Sequence, residues 1–477
     1  MDEVVEHSRH HVTAPQDRIP LLQKAVYSVG YLVNQMQAAA LGAMVFVLNL
    51  GLGMHWSLIG IVGTIPRLID AFTDPLIGYT SDNTRTRYGR RRPFMFVGAL
   101  ASGILFVLLF QLHKGHSEGY YFWYFLLIQC LFVVAFSVFA IPLTALGFEM
   151  SPDYHERTRL LGTANAVGQI AWMISPWLFK FMFSTPDKDL VHGVRILGII
   201  FGIFIVVGGI LPAIFIKERF SHLPQPQKKK AIAVVKDFFS GCVIAFKNRP
   251  FIQLCIISFL IFNGFMLAST FILINIVFYD YGGDYGKGGD LQGWFGMTSA
   301  LVSFLLVFPL IAWVATKIGK RNTLLITIPL SIVGYALKWW GYNQHHPYLL
   351  LMAAPFIACS LGSLFTVVTS MLADVCDVDE LQTGSRREGI FGAIYWWVLK
   401  VGQAISSLIS GFMLDWTGFK ESLGGNQPHA LFFTRVCDIG IPVATSLLAI
   451  YFILTFDISE DKAYETRKQL EARRGRG

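Results

Sequence analysis

The run Arg67-Leu-Ile-Asp70-Ala-Phe-Thr73-Asp74-Pro75 places three ionisable groups within an otherwise apolar stretch. Asp70 and Asp74 stand at i and i+4, so on a helix both carboxylates project from one face, with Arg67 on the same side. Like charges on one face repel and make a poor structural pair. They make a good site for a small hard cation, which takes several oxygen ligands, or for a proton held on one carboxyl. Thr73 supplies another oxygen nearby, and Ser137 is the best polar candidate on a neighbouring apolar stretch. The plainer alternative is that Arg67 neutralises Asp70 while Asp74 lies near the membrane boundary.

Lys400, in Tyr395-Trp396-Trp397-Val-Leu-Lys400-Val-Gly402-Gln403, lies about eleven residues from either end of its stretch, too deep to snorkel to the surface. It is expected to line a cavity and to face the two carboxylates. Lys180 and Lys338 stand near the ends of their stretches and are expected to snorkel. Tyr395 and Trp396 offer rings that stack on a sugar, whereas Trp339 and Trp340 suit the aromatic belt at the membrane surface. A second acidic group, Asp374-Val-Cys-Asp377-Val-Asp379-Glu380, precedes Arg386-Arg387-Glu388. It lacks the glycine turn and distal glutamate of a calcium loop. Salt bridges that close the cytoplasmic side are expected instead, with Arg157 and Arg159 as partners, breaking and forming as the structure rocks.

The elements that must carry these residues follow from composition. The chain has 477 residues, 54% hydrophobic and only 15% charged, where a soluble protein carries roughly 25%. Too few charges remain to cover soluble domains, which excludes an ordinary cytosolic enzyme. Twelve stretches are long and apolar enough to span a bilayer as helices: 26–50, 57–80, 94–113, 120–147, 161–184, 191–216, 251–279, 292–316, 323–342, 347–373, 389–414 and 430–456. Of the 39 Lys and Arg, 29 fall on the side of the two termini and 5 on the other. That bias puts both termini in the cytoplasm and makes the protein multi-pass, in the cell (inner) membrane. The basic balance is then topology, and no nucleic-acid partner is expected. The polar first 24 residues hold no apolar core of a cleaved signal. The six cysteines show no paired metal spacing and read as small buried hydrophobes. No HExxH, GxSxG or P-loop motif is present, so neither enzymatic activity nor a cofactor is expected.

The longest connection, 217–250, holds Pro-Gln-Pro-Gln followed directly by Lys228-Lys229-Lys230, then a 231–246 segment that suits a short surface helix. It divides the chain into an N-terminal six-helix half (1–216) and a C-terminal six-helix half (251–457), followed by a cytoplasmic tail (458–477). The loop with Gly89-Arg90-Arg91 is echoed by Gly319-Lys320-Arg321, 230 residues on. Two six-span halves with parallel repeats give the expected fold class: an all-α membrane protein of twelve transmembrane helices in the major facilitator fold.

Two blocks carry a resemblance to a known family. One runs from Asp70-Ala-Phe-Thr-Asp74-Pro75 through Gly78 and Asp82 to Arg85-Thr-Arg87-Tyr-Gly89-Arg90-Arg91-Arg92-Pro93; the other runs from Ala373-Asp374 through Arg387-Glu388-Gly389 to Lys400. With them the chain resembles the glycoside–pentoside–hexuronide:cation symporters, the family of melibiose permease. The resemblance implies symport of a sugar or glycoside with Na⁺, H⁺ or Li⁺ by alternating access, with a coupling cation and a small-molecule substrate as partners. It places the family's paired carboxylates on Asp70 and Asp74, its cation-site hydroxyl on Ser137, its lysine on Lys400, and Thr73 where the family has an asparagine ligand. Three sugar-binding positions are rewritten: Asn34 and Ala140 stand where melibiose permease has aspartates, and Asn165 where it has an arginine. Arg67, Asn34, Asn165, Tyr395, Trp396 and Lys400 are thus the candidate substrate residues, and an α-galactoside is not the expected solute. The competing expectation is a facilitator-fold carrier of a non-sugar solute such as a lysolipid or other amphiphile. Either is expected to work as a monomer surrounded by membrane lipid.

Overall fold

A computed structural model of the chain describes residues 17–151, 153–183, 189–218, 231–384, 387–458 and 460–473. They form helices joined by short loops. The first six are α1 (Leu21–Phe46), α2 (Trp56–Asn83), α3 (Arg92–Phe110), α4 (Glu118–Glu149), α5 (Tyr154–Ile174) and α6 (Leu190–Phe215). The last six are α7 (Arg249–Asp280), α8 (Tyr285–Ile318), α9 (Lys320–Gly341), α10 (Pro347–Thr383), α11 (Glu388–Thr417) and α12 (Pro428–Leu454). Nine described helices are long and apolar enough to cross a membrane; α1, α2 and α5 fall outside that count. In α2 and α5 the reason is visible in the sequence: Arg67, Asp70 and Asp74 interrupt one, and Glu156-Arg157-Thr158-Arg159 opens the other. The fifth helix accordingly begins at Tyr154, seven residues before the expected 161, because hydropathy misses a polar first turn that Asp153 caps through the Glu156 amide.

The outward faces are apolar: Ile199, Ile200, Ile203 and Val207 of α6 are exposed, as are Leu127 and Leu131 of α4. In water such faces would be a liability; in hydrocarbon they are the required surface. Lipid gives helices no hydrophobic reason to associate, so packing and polar contacts must join them. Between α2 and α11 glycine does this. A Cβ at Gly60 would lie 2.7 Å from the Ser407 carbonyl oxygen, and one at Gly411 would lie 2.3 Å from that of Trp56. The two backbones therefore touch, which brings α2 and α11 side chains within reach of each other further along.

The two loops with the Gly-basic-basic echo sit at one end of the bundle, the basic end, together with Glu218. Arg92 donates through Nε to the Ala213 carbonyl (2.6 Å) and through Nη2 to Ile214 (2.7 Å) at the end of α6. Arg321 does the same to Ile453 (3.1 Å) and Leu454 (2.6 Å) at the end of α12. Arg90 and Arg91 pair with Glu149 of α4 (2.7 and 2.9 Å), and Lys320 pairs with Asp374 of α10 (2.6 Å). The repeat is therefore built into side-chain contacts. Its register differs by one residue from the sequence echo, since Arg92, not Arg91, is the counterpart of Arg321.

Glu218 adds a device of its own. Its carboxylate accepts from the Arg90, Arg91 and Arg92 amides (2.7, 2.7 and 2.8 Å), occupying the positive N-terminus of α3. Gly89 makes room for it: its φ is +118°, and a Cβ there would lie 2.7 Å from Glu218 Oε1. Glu218→Ala is expected to lower stability by about 1–3 kcal/mol, the usual loss for charge-assisted bonds to orphan amides. Thermal unfolding of the purified protein measures it; an unchanged melting temperature would show that water replaces the cap.

The first and last six helices meet closely at the opposite, far end. Asp415 of α11 accepts from the Trp56 and Ser57 amides that open α2 (3.2 and 2.9 Å). Lys180 pairs with Asp290 of α8, and Phe183 stacks on Tyr285 (centroids 4.9 Å). At the basic end, four ion pairs among the described residues each join elements of the same side: Lys24–Glu156 and Arg91–Asp82 in the first six helices, Lys320–Asp374 and Arg387–Asp379 in the last six. The two sides are thus tied to each other at the far end.

Candidate functional site

Midway along α2 and α11, about three turns beyond the glycine contact, the expected charges converge. Thr64 Oγ1 donates to the Ala404 carbonyl (2.9 Å) and Arg67 Nη1 to Gln403 Oε1, fixing the register of the two helices. Lys400 Nζ then reaches Asp70 Oδ2 at 2.8 Å and Asp74 Oδ2 more closely still. Ser137 of α4 donates to Asp70 Oδ1 (2.6 Å). Asp74 Oδ1 is buried and has no partner. The side chains of Asp70, Asp74 and Lys400 are 16%, 25% and 36% exposed, so the group is recessed yet open to a small ion.

Arg67 does not neutralise Asp70 by a direct bond; its guanidinium goes to Gln403, while Lys400 and Ser137 take the carboxylate. Two carboxylates bonded to one ammonium leave a local deficit of one positive charge and one bare acceptor, Asp74 Oδ1. Arg67 balances the charge from a turn away without filling that acceptor. A monovalent cation or a proton would fit there. The Thr73 hydroxyl is turned to its own helix, at 3.4 Å from the Asp70 carbonyl oxygen.

The remaining expected residues are spread out. Asn34 of α1 is half-buried, with Oδ1 unpartnered, and Asn165 of α5 is exposed. Tyr395 is not available to a sugar: it is 1% exposed and its hydroxyl meets Ser258 of α7 at 3.0 Å, because it faces away from the Lys400 side of α11. Trp396 is exposed and meets the Tyr395 ring edge-on. The expected bridge from Asp374 to Arg157 and Arg159 is absent in this conformation. Asp374 is taken by Lys320, and Arg159 lies 3.8 Å from Glu156 of its own helix. Arg387 pairs with Asp379 at 2.6 Å, Asp377 has contacts of its own, and Arg386 lies outside the described residues.

Sequence reading missed Gln403 and Thr64, although Gln403, Ala404, Ser407 and Gly411 share a helical face with Lys400 and so had to meet α2. It also missed a buried group at the far end of α7, α9 and α12. Lys338 does not snorkel; it is 2% exposed and its Nζ lies 2.5 Å from Asp438 Oδ1, with the Tyr342 hydroxyl on the other oxygen. Trp339 serves less as a belt residue than as a platform, with Arg435 4.4 Å above its ring. Asp438 and Arg435 were legible as ionisable residues inside an apolar span, which is the signal that should have found them.

A bundle of apolar helices with recessed opposite charges at the junction of its two sides is a multi-pass membrane carrier. The chain belongs to the MFS/sugar transport protein family, whose model matches residues 26–460. It is therefore a transporter and not an enzyme, and the resemblance carried by the Asp70–Pro93 and Ala373–Lys400 blocks holds. Among its relatives, the glucuronide carrier protein homolog of Escherichia coli (strain K12) is 27% identical over 94% of this chain and 95% of the relative. The isoprimeverose transporter of Lactiplantibacillus pentosus is 24% identical over 77% and 74%. The sodium-dependent lysophosphatidylcholine symporter 1 of Gallus gallus is 25% identical over 96% and 90%. The fold matches that of a nucleoside transporter of known structure, with a TM-score of 0.66 at 13% identity, over 90% of this chain and 99% of that one.

Proposed function

We propose that the protein couples entry of a sugar or glycoside to a Na⁺ or H⁺ gradient by alternating access, the coupling ion sharing Asp70 and Asp74 with Lys400. The observation that carries this reading is the Lys400 bridge, which ties a helix of the first six to one of the last six through two carboxylates with an acceptor to spare. An arriving cation competes with the ammonium for the same oxygens. Binding therefore loosens or re-aims the tie between α2 and α11, so ion occupancy and the relation of residues 1–216 to 251–457 are linked. Ser137 holds Asp70 in place, and Gln403 holds Arg67 out of the site. With the basic end taken as cytoplasmic, which the charge bias supports, the contacts at the far end suit an inward-facing conformation. Asp374, Asp377, Arg157, Arg159 and Arg387 would change partners when the basic end closes.

A second reading takes an amphipathic lipid as the solute. It is supported by a lysophosphatidylcholine symporter as similar in sequence as the sugar carriers are, and by the burial of Tyr395, which removes the expected sugar platform. Uptake into proteoliposomes under separate Na⁺ and H⁺ gradients decides. The first reading expects gradient-driven uptake of a labelled glycoside such as a glucuronide, unaffected by lysophosphatidylcholine. Transport of the lysolipid with no glycoside uptake would replace it by the second, and no effect of either gradient would remove the coupling.

A further inference from the structure

The buried group at the far end of α7, α9 and α12 contains a carboxyl that no side chain hydrogen-bonds. Asp280 closes the π-helical turn Asn275–Asp280 of α7. It is 5% exposed; its carboxyl oxygens make no side-chain hydrogen bond, and the donor that approaches them is the Asn343 backbone amide after α9. Arg435 of α12 lies within electrostatic reach but spends itself elsewhere. Its guanidinium sits 4.2 Å over the Tyr279 ring and 4.4 Å over that of Trp339, and Nη2 donates to the Trp339 carbonyl (2.9 Å). Its Nε is buried and unpartnered.

A buried carboxylate is costly unless it is paired and hydrogen-bonded, and here a backbone amide approaches it while the Arg435 guanidinium is turned to the rings. A neutral Asp280 explains why Arg435 prefers two aromatic faces to the carboxyl beside it. We infer that Asp280 is a proton-binding site, separate from Asp70 and Asp74, and that its proton decides whether Arg435 rests on Tyr279 and Trp339 or pairs with Asp280. When the proton leaves to water at the far end, the carboxylate finds its open donor in Arg435 Nε–H, and the guanidinium is drawn off the rings. The pairing would tie α12 directly to the irregular end of α7. Protonation at this point therefore sets how firmly the two helices are held together.

The other ionisable groups around Asp280 are accounted for. On α9 and α12, Lys338, Tyr342 and Asp438 satisfy one another. On α8 and the loop before it, Asp290 pairs with Lys180 and Asp284 with Lys287. Tyr281 is half-buried on the same turn, and Tyr348, His345 and His346 are exposed beyond α9. The inference does not rest on the coupling site.

Infrared spectroscopy of the full chain in lipid nanodiscs tests it. The protein at neutral pH is expected to show a protonated-carboxyl C=O band that Asp280→Asn removes and Asp70→Asn leaves. Raising the pH is expected to abolish that band and to change the emission of Trp339, assigned by Trp339→Phe; Asp280→Asn should remove the emission change. Identical carboxyl bands in the wild type and Asp280→Asn would overturn the inference. Should Asp280→Asn fail to fold, Asp280→Glu keeps an acid and must shift the band, and an unshifted band has the same overturning force.

Discussion

Asp74→Ala is expected to bring gradient-driven uptake in proteoliposomes down to that of protein-free vesicles, with the purified protein still folded. Two unit charges about 4 Å apart at an effective dielectric of 20 interact by roughly 4 kcal/mol. Removing one carboxylate should therefore weaken the hold on a coupling cation by about three orders of magnitude. Asp74 is the better of the two to remove, because Asp70 would still be held by Ser137 and Lys400 while the unpartnered acceptor disappears with Asp74. Folding should survive, since the loss leaves Lys400 one carboxylate partner. Lys400→Ala should instead leave two carboxylates without their ammonium, and uptake should lose its conformational tie while ion binding persists. Uptake by Asp74→Ala still accelerated by a Na⁺ or H⁺ gradient would sink the assignment of the coupling site.

The deep charges were readable without a structure because lipid makes each of them expensive. Asp70, Asp74 and Lys400 had to be offset by something, and the i,i+4 spacing put both carboxylates on one face. The fold was readable for the same reason: a twenty-residue apolar run leaves the backbone little choice but a helix. What stayed hidden depends on which way a helix is rotated. Tyr395 and Lys400 are neighbours in sequence, yet one faces Ser258 in the core of the last six helices and the other faces α2. Asp374 could be seen to need a basic partner but not that Lys320, in its own half, would be that partner. Nearness to a span end made Lys338 look like a snorkelling residue; only the arrival of Asp438 from α12 turns it inward. The echo of the halves carries over with a shift of one position for one role, since it is Arg92 and Arg321 that bond the last carbonyls of a helix.

Asp438→Ala should be the most damaging single change to stability. Lys338 and Asp438 have side-chain exposures of 3% and 0%, and Tyr342 donates to the same carboxylate. Truncating Asp438 leaves an ammonium and a phenol buried with no acceptor, a loss of roughly 3–5 kcal/mol when one partner of a buried pair is removed. That is a large part of the stability of a typical folded chain. The variant should elute as aggregate or melt far below the wild type in fluorescence-detected size exclusion. The physics separates this from a need for the charges themselves. Lys338→Met combined with Asp438→Leu removes both at once, fills the space with apolar atoms, and leaves the Tyr342 hydroxyl and the Asn275 amide without the carboxylate. The double variant should therefore recover most of the lost stability, since replacing a whole buried pair is often neutral or better. A double variant as unstable as Asp438→Ala would mean that the polar group is needed as a unit, with Asn275 and Thr434 of the neighbouring bond at 2.7 Å part of the same network. If the double variant is stable but transports poorly, the pair at the far end serves the transport cycle and not the fold. Thermal melting and uptake on the same preparation tell these outcomes apart.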